Sequence, residues 1–282
     1  LIPVSFEFFP PKTPDQQAQL QSTVEALLPL SPDYVSVTFG AGGSTLDYTV
    51  ETIRMLVKRF GLNAAPHLSC MGGTRSEIRA MLRTYQELGC KRIVALRGDM
   101  PSGMASMGEF RYASDLVQFI RAETGDYFHL EVAAYPEIHP QAESAAADLE
   151  HFIYKMRAGA NAAITQYFFN ADAYFRFVEE VRAKGCQAAI VPGIMPITNY
   201  SQLKRFSDVC GAEIPRWVLK RMQCLGDDVD AIRDFGLEVV TELCKRLIRG
   251  GAPGLHFYTL NRARASIAVC EQLGLRARSA AA

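Results

Sequence analysis

Eight short β-rich runs punctuate this chain of 282 residues, at 3–9, 34–39, 64–70, 92–98, 130–136, 162–168, 188–194 and 255–260, and helical patterns fill the gaps between them. Most of the runs are apolar on both faces, the pattern of a parallel sheet covered on one side and filled on the other. In the gap after the third run, Thr74 and Glu77 have capping-box spacing, Ile78, Met81, Leu82 and Tyr85 form one stripe, and Gly89 suits the stop. Leu149, Phe152, Ile153 and Met156 repeat that spacing. The segment 199–253 reads as three helices, the last carrying Ile232, Phe235, Val239, Val240, Leu243 and Leu247 before Gly250-Gly251. Eight strands alternating with helices predict a (β/α)8 TIM barrel, an architecture of about 250 residues. The expected organisation is one catalytic barrel domain over 1–282, with extra helices between strands 7 and 8. A doubly wound sheet would carry GxGxxG after its first strand. Here that strand runs into Pro10-Pro11, and the second is followed by GAGGST.

Thirty basic and thirty acidic residues cancel, so no global field draws the chain to nucleic acid or to an anionic membrane. No apolar run approaches the roughly 20 residues of a membrane span, and no signal-peptide pattern opens the sequence. The seven cysteines are scattered without a CxxC pair, which predicts reduced thiols in a cytoplasmic protein and no zinc cluster. HxH on the first strand and HExxH are both absent, so no metal is expected.

In such a barrel the active site lies at the C-terminal ends of the strands. Polar residues near those ends are Glu7, Thr38, His67, Arg97 with Asp99, Tyr135, Gln166 and Arg262. They come from seven strands, and their convergence on one rim favours a ligand over coincidence. Each also has a structural reading: Glu7 as half of a buried ion pair, Asp99 as a cap, His67 and His139 as packed histidines. Asp148, His151 and Lys155 share one helix stripe, which a solvated polar face would also explain.

The motifs SFEFFPPKT, VSVTFGAGG, AAPHLSC, IVALRGDMP, YASDLV, VAAYPEIHP, GANAAITQYFF, VPGIMPITN and HFYTLNRA follow one another along nearly the whole chain. With them the sequence resembles the methylenetetrahydrofolate reductases, in the compact bacterial form without a regulatory extension. The resemblance implies FAD held in the barrel mouth, NADH or NADPH as co-substrate, and reduction of 5,10-methylenetetrahydrofolate to 5-methyltetrahydrofolate in two successive half-reactions. It implies a homo-oligomer that supplies methionine biosynthesis and uses neither nucleic acid nor membrane as partner.

The family's acid in FEFFP corresponds to Glu7, which would protonate the departing folate nitrogen, with Phe6, Phe8 and Phe9 desolvating its charged form and so favouring the neutral acid. Asp99 matches the aspartate beside flavin and folate and would tune both electrostatically. Thr38, Phe39, Ala41, His67, Arg97, Gly98, Tyr112, Ala113, Tyr135, His139, Asp148, His151 and Lys155 match flavin-holding positions, with Lys155 toward the pyrophosphate. Gln166, Gln202, Phe206, Tyr258 and Arg262 match the substrate side, where Thr38 and Asp99 also contribute.

Overall fold

A computed structural model describes residues 2–39, 43–98 and 108–275. In chain order the elements are β1 (Val4–Phe8), α1 (Pro14–Leu27), β2 (Tyr34–Val37), α2 (Gly43–Lys58), β3 (Ala64–Ser69), α3 (Arg75–Glu87), β4 (Arg92–Leu96), α4 (Ala113–Thr124), β5 (His129–Ala134), α5 (Ala145–Arg157) and β6 (Ala162–Thr165). They continue as α6 (Ala171–Ala183), β7 (Ala189–Val191), β8 (Gly193–Ile194), α7 (Tyr200–Cys210), α8 (Arg216–Leu225), α9 (Val229–Arg249), β9 (Leu255–Tyr258) and α10 (Ala263–Gln272). Local chemistry sets the helix starts. Thr13 caps α1 ahead of Pro14, Ser144 caps α5, Asn199 caps α7, and Thr74 forms the expected capping box with Glu77 at α3.

All strand pairs are parallel, in the spatial order β7-β6-β5-β4-β3-β2-β1-β9-β8. This is the predicted TIM barrel, and three helices, α7 to α9, do fill the long gap before the last strand. The seventh run differs from expectation, because it divides at Pro192 into two short strands. Proline has no N–H to give to a ladder, so β7 stays with β6 while β8 pairs with β9. The junction is still tied on both sides. His256 N–H donates to Pro192 O at 3.0 Å, and Gly193 N–H donates to Thr165 Oγ1 at 2.9 Å. One covalent segment thus carries both margins of the sheet and closes the barrel.

Glycine is required at this closure. A Cβ on Gly193 would lie 2.2 Å from Thr165 O and 2.6 Å from the Tyr258 ring. Gly193→Ala is therefore expected to destabilise the protein by about 1–3 kcal/mol through overpacking. A denaturant titration checks it, and an unchanged midpoint would show that the seam can yield.

The two faces of the strands have different fates. Outward residues such as Phe6, Phe8, Val37, Ile93, Val132 and Phe257 are buried with the helices in one large apolar cluster. The inward face holds a second, small cluster of Tyr34, Ala65, Val94 and Ile164. The expectation of strands apolar on both faces fails here. Ser5, Ser36, His67, Glu131 and His256 are also buried, on strands whose outward positions are hydrocarbon. Barrel interiors are ordinarily filled by branched aliphatic layers, and this one is substantially polar. Among the described residues, no helix is long and apolar enough to cross a membrane.

Candidate active site

At the C-terminal ends of the strands a cavity of about 1120 Å³ opens. Glu7, Thr38, Phe39, His67, Gly98, Tyr135, Gln166, Phe206 and Tyr258 all line it, so residues expected from separate strands do converge. Phe9, Leu96, Ile164 and Met195 make its walls largely apolar. Its size slightly exceeds the roughly 300–1,000 Å³ typical of small-molecule sites.

Glu7 is fixed before any ligand arrives. Its carbonyl accepts from Thr259 Oγ1 at 2.6 Å, and the next residue but one, Phe9, is clamped through its N–H and carbonyl by the Asn261 side chain at 2.9 and 3.0 Å. The carboxylate points into the barrel mouth with 12% of its side chain exposed, and His67 Nε2 approaches its Oε2 to 3.3 Å. His256 Nε2 lies 3.8 Å from the same oxygen. The expected phenylalanine surroundings are corrected by this arrangement. Strand alternation turns Phe6 and Phe8 outward into the helix layer, leaving only Phe9 on the cavity side. Two imidazoles flank the acid instead.

Burial pushes His67 below the ordinary histidine value of 6.5, with the Glu7 carboxylate opposing and His256 reinforcing the shift. Its Nε2 is buried without an aligned hydrogen-bond partner among the described residues. An orphaned polar atom at a cavity wall is costly unless something binds there. Gly98 supplies a second feature of the same kind. Its φ is +83°, and a Cβ would sit 1.8 Å from Ser69 Oγ, so only glycine allows the chain to line the cavity here.

The remaining expected residues form an outer tier. Tyr135 meets the His139 ring edge-on at 4.5 Å, and His139 N–H donates to Asp148 Oδ2 at 2.8 Å. Lys155 turns inward from α5, donating from Nζ to Ala133 O at 2.5 Å, and burial lowers it to about 8 against the pull of Asp148. His151, on the same stripe, is exposed. Arg97 reaches Gln141 Oε1 at 2.5 Å. Tyr112 is 47% exposed and caps α4 with Ala113 following, its N–H held by Asp115 Oδ2 at 2.9 Å. Gln202 is half-buried on α7, whereas Arg262 lies in an adjoining groove that shares Phe9 and Leu260 with the main cavity. Ala41 and Asp99 lie outside the described residues.

His256 was not among the expected site residues. It stands two positions before Tyr258 on one strand, and the strand period of two places both on the inner face. The same rule pairs Ser5 with Glu7. Applied to the last strand, that alternation is the signal that finds it.

Comparison with known proteins follows the same direction. A family profile described as methylenetetrahydrofolate reductase matches residues 2–274. The chain is 44% identical over 277 residues to the 5,10-methylenetetrahydrofolate reductase of Pectobacterium carotovorum subsp. carotovorum, covering 98% of this chain and 91% of that protein. It is also 44% identical to the Escherichia coli (strain K12) 5,10-methylenetetrahydrofolate reductase, with coverage of 98% and 92%. Among solved structures, a Clostridium thermocellum protein described as binding two copies of 5-methyl-5,6,7,8-tetrahydrofolic acid superposes with a TM-score of 0.67 over 96% of this chain and 93% of its own. Its 17% identity makes that a likeness of fold.

Proposed function

The chain belongs to the methylenetetrahydrofolate reductase family, and from that premise we propose that it reduces 5,10-methylenetetrahydrofolate to 5-methyltetrahydrofolate with FAD as resident cofactor and NADH or NADPH as reductant, the two visitors using one cavity in turn. The observation that carries the reading is Glu7, an anchored carboxyl at the strand-end opening of a largely apolar cavity. Within this reading the protein works as a single barrel domain, a cytoplasmic homo-oligomer that feeds methionine synthesis.

The residues present suit a flavin. The apolar walls match a planar ring system, and Gly98, where a Cβ would clash with Ser69, lets backbone come close. FAD, when bound, contributes reversible hydride acceptance. Thr38, Phe39, His67, Gly98 and Tyr135, which line the cavity, would hold its ring end. Arg97, Tyr112, Ala113, His139, Asp148, His151 and Lys155 form the outer tier toward the rest of it, with Ala41 and Asp99 completing the assignment. For Lys155 this requires a ligand to compete with Ala133 O for its ammonium, or to gain from its charge at a distance.

Glu7 is the proton donor to the substrate. Protonating the departing nitrogen lets the C–N bond of the folate's five-membered ring break, and the electron pair stays on that nitrogen. The iminium carbon left behind accepts hydride and becomes the methyl group. Gln166, Phe206 and Tyr258 position the pterin and its neighbouring ring from the cavity wall, while Gln202 and Arg262 serve the more distant part of the folate.

Initial-rate kinetics test the scheme. Double-reciprocal plots at several folate concentrations are expected to be parallel with either nicotinamide nucleotide. Intersecting lines would show both substrates bound together and overturn the alternating use of one cavity, and a colourless protein that cannot be loaded with FAD would overturn the cofactor assignment.

A further inference from the structure

Behind Glu7 the barrel interior holds an ionisable group that the proposed reaction has not used. His256 is 0% exposed, with Nδ1 2.7 Å from Ser5 Oγ and Nε2 3.4 Å from Ser36 Oγ. Its ring is stacked on Tyr34 at 5.9 Å and meets Tyr258 edge-on at 5.5 Å. Strand register accounts for the cluster. Ser5 is paired with both His256 and Tyr34, and Glu7 with both Ser36 and Tyr258. These contacts fix the ring, and they place Nε2 3.8 Å from the Glu7 carboxylate. A position needing only to be filled would take a branched hydrocarbon at no desolvation cost.

We infer that His256 is a positioning residue for Glu7, its ring bounding with His67 the same carboxyl oxygen and so fixing where that group sits and the field around it. The inference rests on the reading of Glu7 as proton donor. In the transfer the proton passes from Glu7 to the folate nitrogen, leaving a carboxylate between two imidazoles. It returns from water once product has left, and His256 is covalently unchanged. The groups that face this pair are His67 from β3, Tyr34 from β2, Tyr258 from β9 and Glu131 from β5, the last held by Arg92 from β4. An imidazole lost from this set alters the field at the acid, whereas a packing residue would not.

The test is His256→Phe, which keeps a ring and removes both nitrogens, read as the ratio of folate-dependent turnover to turnover with an artificial electron acceptor. That ratio is expected to fall about tenfold, with the alkaline limb of its pH profile, where a proton donor is lost, displaced by about one unit. In a Glu7→Gln background the same substitution should cost nothing more, because its target is gone. An unmoved pH limb, or an equal loss in the Glu7→Gln background, would overturn the inference. Should Glu7→Gln alone leave folate reduction intact, the proton-donor reading itself falls. Should Glu7→Gln be crippled while His256→Phe keeps the native profile, only the role of His256 falls. Ser5→Ala, which releases Nδ1 without touching the ring, decides the matter if the phenylalanine variant does not fold. It must move the pH limb in the same direction by a smaller amount, and an unmoved limb counts against the inference.

Discussion

Glu7→Gln is expected to slow folate reduction by about 10²- to 10⁴-fold, the range that a positioned general acid contributes. Glutamine keeps the length and shape of the side chain and still offers polar atoms to His67 and His256, which lie 3.3 and 3.8 Å from the native carboxylate. It carries no transferable proton at neutral pH. Oxidation of NADH or NADPH by an artificial acceptor involves no nitrogen leaving group, so that rate should remain near the wild-type value. Steady-state assays of the two reactions on one preparation make the comparison, and a parallel loss in both would assign Glu7 to binding or folding.

The second large effect lies on β4 and β5, below the cavity. Glu131 is 1% exposed, and its Oε1 accepts from Arg92 Nη1 at 3.0 Å while Oε2 has no hydrogen-bond partner among the described residues. The guanidinium also stacks over Tyr34 at 4.4 Å and lies 3.5 Å from Asp33. Removing one partner of a buried ion pair leaves an uncompensated charge, and Arg92→Met should cost about 3–5 kcal/mol at neutral pH.

The pH dependence has a definite sign. Burial raises the Glu131 carboxyl above its ordinary value of 4.5, against the opposing charge of Arg92. The folded state therefore holds this proton more firmly than the unfolded chain, and the stability contributed by Glu131 declines as pH rises from 4.5 toward the folded value. Without Arg92 the folded value climbs further and the decline continues over a wider range. The deficit of Arg92→Met should consequently shrink on acidification and nearly vanish below the ordinary carboxylate range. Unfolding midpoints of both proteins at acidic and neutral pH measure it, and a deficit independent of pH would remove Glu131 as its source.

The parts of this molecule that could be read from residue order are those that local chemistry decides. The stripe Ile78, Met81, Leu82 and Tyr85 is buried as expected, because Thr74 and Glu77 start the helix and the apolar spacing leaves it one face to hide. Glu7 faces inward because strand alternation allows nothing else once Phe6 and Phe8 enter the helix layer. His67 was expected on the same rim, but its direct approach to the carboxylate and the presence of His256 were not legible, since both depend on how strands far apart in sequence pack across the barrel. The mistaken phenylalanine surroundings came from treating sequence neighbours as spatial ones. Proline 192 was visible in the run AAIVPGI, yet its division of the strand depends on which ladder each half joins. The stripe of Asp148, His151 and Lys155 likewise set a helix face but not its partners, which are a loop amide for Asp148 and the carbonyl of Ala133 for Lys155.

The central claim is that one cavity takes hydride in and passes it on in separate steps, with Glu7 needed only for the second. Anaerobic double-mixing with absorbance detection tests it directly. NADH or NADPH alone should bleach the flavin at matching rates in wild-type and Glu7→Gln protein, and 5,10-methylenetetrahydrofolate alone should then restore the colour rapidly in the wild type and slowly in the variant. Bleaching that requires folate to be present, or recolouring at equal rates in the two proteins, would contradict the account.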